Sequence, residues 1–256
     1  ALGYTYLGKS EEYKDICKFY NGKLKPLKGP YSFGFNKSNK ILKLGFVGQD
    51  FRNHPIGFFL KDMLPELSKK IDINVFSTTD HQDGTSEFIE KYSNWIRCHK
   101  LNDDFLAELI YQKKIDILVD TSGMTITNKL NIFKIKPVKT QISWAGWLAS
   151  THMKEIDYIV GDHFATPSID DKNFSEKIYR VRDIWCTYSR SVFDDLRLKK
   201  NQNNNEDVNF GCFQRPEKIN QKILKVWSKI LLRTKRSNIY FVNKSIGPYE
   251  KKMITD

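Results

Sequence analysis

From residue 41 onward, short apolar runs alternate with stretches of helical period, and that alternation restricts what the chain can fold into. Runs rich in Ile, Val, Leu or Phe at 42–47, 72–76, 116–120, 140–144, 156–160 and 178–181 read as strands. Helical periods occupy 56–69, 85–93 and 102–113. In the last of these, Leu101, Phe105, Leu106, Leu109 and Ile110 form one apolar stripe, with Asn102 or Asp103 placed to cap it. Strands alternating with helices predict an α/β fold with a parallel sheet covered on both faces. The sheet domain is expected to run over 41–193, behind a polar and aromatic lead-in at 1–40 that holds one short helix at 10–20.

Residues 194–207 are polar and Asn-rich, the composition of a linker. A second unit starts at 208–256, with a strand at 208–213 and a helix behind Asn220. That helix is expected to bury Ile223, Leu224, Val226, Trp227, Ile230 and Leu231, and a further strand follows at 239–242. Roughly fifty residues cannot complete an α/β domain of ordinary size.

Residues 43–57 carry the first candidate chemistry. An apolar strand breaks into a polar turn with Asp50, Arg52, Asn53 and His54, and a helix restarts behind Pro55. That order places ionisable groups at the carboxyl edge of a sheet, where α/β proteins take ligands. Pro55 suits the first helical turn, because its missing N–H would have had no partner there. His54 therefore sits ahead of a helix N-terminus, where backbone donors and the positive dipole end favour anions. Loops 121–128 (Thr-Ser-Gly-Met-Thr-Ile-Thr-Asn) and 145–152 (Ala-Gly-Trp-Leu-Ala-Ser-Thr-His) also follow strands, and 214–218 does so in the second unit. Taken singly, each also fits a structural role: Gly123 as a turn former, His54 as a cap.

The net charge of +12, from 42 Lys+Arg against 30 Asp+Glu, favours anionic partners. The lysines are spread along the chain, however, with no basic tract interleaved with aromatics, so nucleic acid is not the expected partner. Cys17, Cys98, Cys186 and Cys212 form no C-x-x-C pair, which fits a reducing compartment and a cytoplasmic location. Neither they nor the five histidines have zinc-ligand spacing, so no metal site is expected. No apolar run reaches the length of a membrane span, and no membrane partner is expected. There is no signal-peptide pattern, and a start at Ala1 suggests a piece of something longer.

Asp50-Phe-Arg-Asn-His-Pro, Ile115-Asp-Ile-Leu-Val-Asp-Thr-Ser-Gly-Met-Thr and Pro137-Val-Lys-Thr-Gln-Ile-Ser-Trp-Ala-Gly follow one another in the chain. Ile156-Asp-Tyr-Ile-Val-Gly-Asp, Phe174-Ser-Glu-Lys-Ile and Phe213-Gln-Arg-Pro-Glu-Lys-Ile-Asn come after them. In wording, order and spacing this set resembles the catalytic region of the O-linked N-acetylglucosamine transferases and their SPINDLY-type relatives, from about residue 41 to the end. The resemblance implies two facing Rossmann-like domains of the GT-B type, the second only begun here. It also implies an inverting, metal-independent transfer of a sugar, N-acetylglucosamine foremost, from a UDP-sugar to Ser or Thr hydroxyls of a protein acceptor. No cofactor is implied beyond the donor itself.

On that resemblance His54 matches the histidine of the catalytic cleft, either as the base or as a group that positions the acceptor. Lys218 matches the lysine on the donor diphosphate, with Arg215 beside it. Asp50, Asn53, Gly123, Thr125 and Gly146 are acceptor-side or supporting positions. Asp116 is a weaker candidate and better suited to bracing its strand. Two departures stand out. Loop 145–152 lacks the Pro and Gly of a Gly-Tyr-Pro-Gly-Thr turn, and Met124 replaces a His or Tyr. The uridine and ribose pockets would come from segments past Asp256. A non-catalytic acceptor-binding fragment without a complete donor site is therefore the alternative.

Overall fold

The computed structural model describes residues 10–26, 31–33, 41–193, 207–243, 247, 248 and 254. The chain divides into two compact units, Lys14–Leu196, and Arg197–Asp256 together with Ala1–Tyr13. Most of the linker expected at 194–207 lies outside the described residues.

The larger unit is built on seven strands: β1 (Lys43–Gly48), β2 (Asp72–Ser77), β3 (Asn94–Arg97), β4 (Ile117–Asp120), β5 (Thr140–Ser143), β6 (Tyr158–Gly161) and β7 (Lys177–Arg180). All pair in parallel, in the order β3-β2-β1-β4-β5-β6-β7. The chain winds one way from β1 to β3 and returns to lay β4 on the other side of β1. The crevice outside the carboxyl ends of β1 and β4 is thus the switch point at which such sheets receive ligands.

Among the described residues six α-helices accompany the sheet: α1 (Ser10–Lys23), α2 (Pro55–Lys61), α3 (Met63–Leu67), α4 (Gly84–Lys91), α5 (Asp103–Gln112) and α6 (Leu130–Ile135). On one face Phe46, Ile73, Val75 and Val119 meet Ile56, Leu60, Leu64 and Ile89 of α2, α3 and α4. On the other, Val47, Phe76 and Leu118 meet Leu106, Ile110, Leu130 and Phe133 of α5 and α6, with Tyr20 of α1 packed against them. Adjacent residues such as Phe46 and Val47 enter opposite cores, as expected of strands buried on both sides. Each such side chain contributes about 1.5–3 kcal/mol on burial.

Three local readings differ from expectation. The helical period at 56–69 is two helices, because Pro65 has no N–H to continue the ladder and the chain turns at Asp62. Asp62 instead receives the Ser189 hydroxyl (2.6 Å) and the Arg190 N–H (3.2 Å). Strand β3 and helix α6, of four and six residues, escaped the periodicity because neither is long enough to show one. Helix α1 runs on to Lys23 and is docked: Asn21 and Cys17 are buried against the loop after β5.

In the smaller unit β8 (Val208–Cys212) pairs in parallel with β9 (Ser237–Phe241), and α7 (Gln221–Arg233) connects them. The Asn220 side chain accepts the N–H groups of Lys222 and Ile223, as its position ahead of the helix predicts. The apolar face of α7 is only half covered. Ile223, Leu224, Trp227 and Leu231 are partly buried, whereas Val226 is 55% exposed and Ile230 41%. Two strands, about 4.8 Å apart, are narrower than a helix of about 10 Å diameter and cannot roof its whole apolar arc. An apolar gap of about 200 Å³ remains among Phe210, Cys212, Trp227, Ile230, Leu231 and Ile239. It lacks the convergent polar groups of a ligand site.

Candidate functional site

The loop after β1 carries Asp50, Asn53 and His54 to the carboxyl edge. His54 caps α2: its backbone is extended (φ −150°) and the Ile56 N–H donates to its Nδ1 at 3.3 Å. The expected anion position at this helix start is therefore filled by the imidazole itself. With Nδ1 accepting, the proton of the neutral ring sits on Nε2. Asp50 pairs with Arg52 at 3.3 Å.

Asn53 is exposed, and its N–H donates to Asp83 Oδ2 at 2.6 Å. Asp83, which the sequence did not single out, also caps α4 through the N–H groups of Thr85 and Ser86 (both 3.0 Å). Burial works to raise its pKa, but the N–H groups of Asn53, Ser86 and Thr85 and the Ser86 hydroxyl overcome this and hold it below the ordinary carboxylate range. Stability from a lowered carboxyl is present above its unfolded value and lost as pH falls through the folded one. Asp83→Ala is expected to cost about 1–3 kcal/mol at pH 7. The gap to the parent should close as the pH drops below that of an ordinary carboxylate. Urea unfolding across that range measures it, and a pH-independent gap would contradict the bracing role.

The loops after β4 and β5 interlock. Gly146 packs its α-carbon onto the chain after β4, so that a Cβ there would lie 1.9 Å from the Thr121 carbonyl oxygen. Gly123, at φ +54°, is covered by Trp147, whose Cβ would be 2.2 Å from an added methyl. Thr125 closes the following turn, its carbonyl accepting the Asn128 Nδ2 (2.6 Å). Met124 packs against the core. Loop 145–152 holds two residues other than glycine left-handed, Ala145 at φ +72° and His152 at φ +52°.

Two buried carboxylates hold these loops, and sequence reasoning passed over both. Asp120, at the end of β4, accepts the N–H groups of Ser122 (3.0 Å) and Gly123 (2.9 Å). Burial pushes its pKa up to about 6 against those donors and the Ser143 hydroxyl. Glu176 accepts the Thr151 N–H (2.8 Å) and hydroxyl (2.5 Å) on one oxygen and the Ser150 hydroxyl (2.5 Å) on the other. Their sequence signal was an acid just after or just before an apolar run, which also marks ordinary strand ends. Asp116 does have such an end role: its carboxylate accepts the Lys43 N–H (2.8 Å) at the amino edge of the sheet, away from these loops.

Arg215 and Lys218 belong to the smaller unit. Arg215 precedes and Lys218 ends the single 3₁₀ turn Pro216–Lys218 between β8 and α7, with Arg215 exposed and Lys218 half-buried. The Lys218 N–H returns to the Arg215 carbonyl at 3.0 Å, which places both cations on one tight turn after the carboxyl end of β8. Among the described residues no three His, Cys, Asp or Glu side chains gather as metal ligands, and no helix is long and apolar enough to cross a membrane.

A doubly wound parallel sheet with interlocked loops at its switch point, followed by a second parallel β-α-β unit with cations after its first strand, defines a Rossmann-like α/β protein of the GT-B type. The model of glycosyl transferase family 41 matches residues 23–210, and the chain belongs to that family. It is 26% identical over 204 residues to a probable UDP-N-acetylglucosamine–peptide N-acetylglucosaminyltransferase of Arabidopsis thaliana, SPINDLY, covering 77% of this chain and 22% of that protein. It is also 26% identical over 216 residues to the protein named SEC of the same plant, covering 79% of this chain and 22% of that one. A mutant O-GlcNAc transferase of Thermobaculum terrenum shares the fold, with a TM-score of 0.84 and 23% identity over 95% of this chain and 47% of that chain. The chain thus spans less than half the length of these proteins.

Proposed function

We propose that the chain is part of a glycosyltransferase that moves a sugar from a UDP-sugar to a Ser or Thr hydroxyl of a protein. In this reading the sugar is N-acetylglucosamine, the anomeric carbon inverts, no metal takes part and the protein is cytoplasmic. What supports it is the match to family 41 together with His54 at the carboxyl edge of β1 and two cations on the turn after β8. Departure of a nucleoside diphosphate builds negative charge on the leaving phosphate. A cation there stabilises the transition state more than the ground state, which is the binding that speeds a reaction. Lys218 and Arg215 supply that charge. On the acceptor side His54 donates through Nε2 and orients an oxygen, with Asp50, Asn53, Gly123, Thr125 and Gly146 shaping the surface it meets.

A calorimetric titration of UDP tests the donor half, both into this chain and into the chain with the sequence that follows Asp256 in its gene. Binding by the longer form supports the assignment, and no binding by either overturns it. Binding of an acceptor protein without UDP binding would favour the alternative, a non-catalytic acceptor-binding module. In the complete protein, Lys218→Ala is expected to weaken UDP binding or turnover about ten- to hundredfold, the loss of one charge-assisted contact. Unchanged kinetics would remove Lys218 from the site.

A further inference from the structure

We infer that Tyr20 and Asn21 of α1 are positioning residues, through which one N-terminal helix sets the shape of both interlocked loops. The structural part stands alone; its kinetic consequence rests on the glycosyltransferase reading. The Tyr20 hydroxyl donates to Asn128 Oδ1 (3.2 Å), and the same Asn128 clamps the Thr125 turn through its Nδ2 (2.6 Å). One residue on, the buried Asn21 gives its Nδ2 to two successive carbonyls, Thr151 and His152, both at 3.0 Å. Glu176 grips Ser150 and Thr151, one residue back along the same segment, through the Thr151 N–H and the Ser150 and Thr151 hydroxyls.

The need for two grips lies in the backbone. His152 is left-handed at φ +52°, a conformation that costs a residue with a Cβ and that persists only where its surroundings over-determine it. Asn21 pins its carbonyl, and the Ser150 hydroxyl receives its N–H at 2.9 Å. Released on one side, Ser150–His152 can relax to an ordinary φ. The displacement then reaches Gly146 and Trp147 in the same loop, and through Trp147 the covered Gly123. Because Tyr20 and Asn21 are neighbours on one helix, any shift of α1 is felt in both loops together.

Hydrogen exchange on the whole chain tests this with Tyr20→Phe, Asn21→Leu and His152→Gly, alone and combined. Tyr20→Phe keeps the ring in place and removes one hydroxyl; Asn21→Leu keeps the volume and removes the donors. In Asn21→Leu, amides at 146–153 are expected to exchange about tenfold faster, and in Tyr20→Phe those at 122–128 by severalfold, with β1 and β2 unchanged. Glycine at 152 removes the strain, so Asn21→Leu should matter much less in that background. Uniform acceleration across the sheet, no local change, or an Asn21 effect indifferent to residue 152 would each overturn the inference. In the complete protein the tether predicts a raised acceptor KM with donor KM unchanged. Local loosening without that shift would instead overturn the acceptor-side reading of these loops.

Discussion

In the complete protein, His54→Asn is expected to keep the fold and lose sugar transfer. An asparagine oxygen accepts the Ile56 N–H as the imidazole Nδ1 does, and asparagine is among the preferred cap residues, so α2 should start as before. What disappears is the second ring nitrogen. Losing one positioned hydrogen-bond donor at a reacting centre costs about 10²- to 10³-fold in rate, and turnover should fall by that order with UDP affinity unchanged. His54→Ala removes the cap as well and should add about 0.5–2 kcal/mol of destabilisation. Turnover at the parent level in His54→Asn, with loss only in His54→Ala, would make His54 a helix cap and nothing more. The pair of variants separates the two roles that the sequence left open.

Gly146→Ala is expected to have the largest effect on the fold of any single methyl added to these loops. The new Cβ would lie 1.9 Å from the Thr121 oxygen, 2.6 Å from its carbonyl carbon and 3.0 Å from the Ser122 Cα, all backbone, so no flexible side-chain end can yield. Overpacking of this kind costs about 1–3 kcal/mol and more when backbone must move. At about 2–4 °C per kcal/mol for a domain of this size, the melting temperature should drop by about 5–10 °C or further. Gly84→Ala is the control: nothing lies within 4 Å of its added Cβ, at the first position of α4, and the change should be neutral or slightly stabilising. Equal melting temperatures for the two variants would show that the loops after β4 and β5 do not interlock as described.

The strands of the sheet core were legible because each is an unbroken apolar run between turn formers, and such runs survive any register. The capping place of His54 was legible because a polar residue ahead of a proline after an apolar strand marks a helix start. The cap ahead of α7 was legible too, since an Asn side chain acts within three residues of itself. Less could be read where the signal is spread across the chain. Asp120, Glu176 and Asp83 look like surface acids until the fold brings N–H and hydroxyl donors to them from separate segments. Val226 and Ile230 belong to an apolar stripe, yet burial depends on how wide a sheet lies beneath the helix. The helix at 56–69 was read through Asp62 because periodicity carries across a single turn that Pro65 then breaks.

By itself the sequence determined the α/β class, the alternation that makes the sheet parallel, and the family resemblance that the match over 23–210 bears out. Those follow from local patterns of polarity and spacing, which need no partner to be read. Tertiary structure alone decided that loops 121–128 and 145–152 lock through Gly123 and Gly146, that α1 holds both, and that Asp83 joins the turn after β1 to the start of α4. Each of these is a contact between residues far apart in the chain. The energy of such a contact depends on distances that only the packed sheet sets.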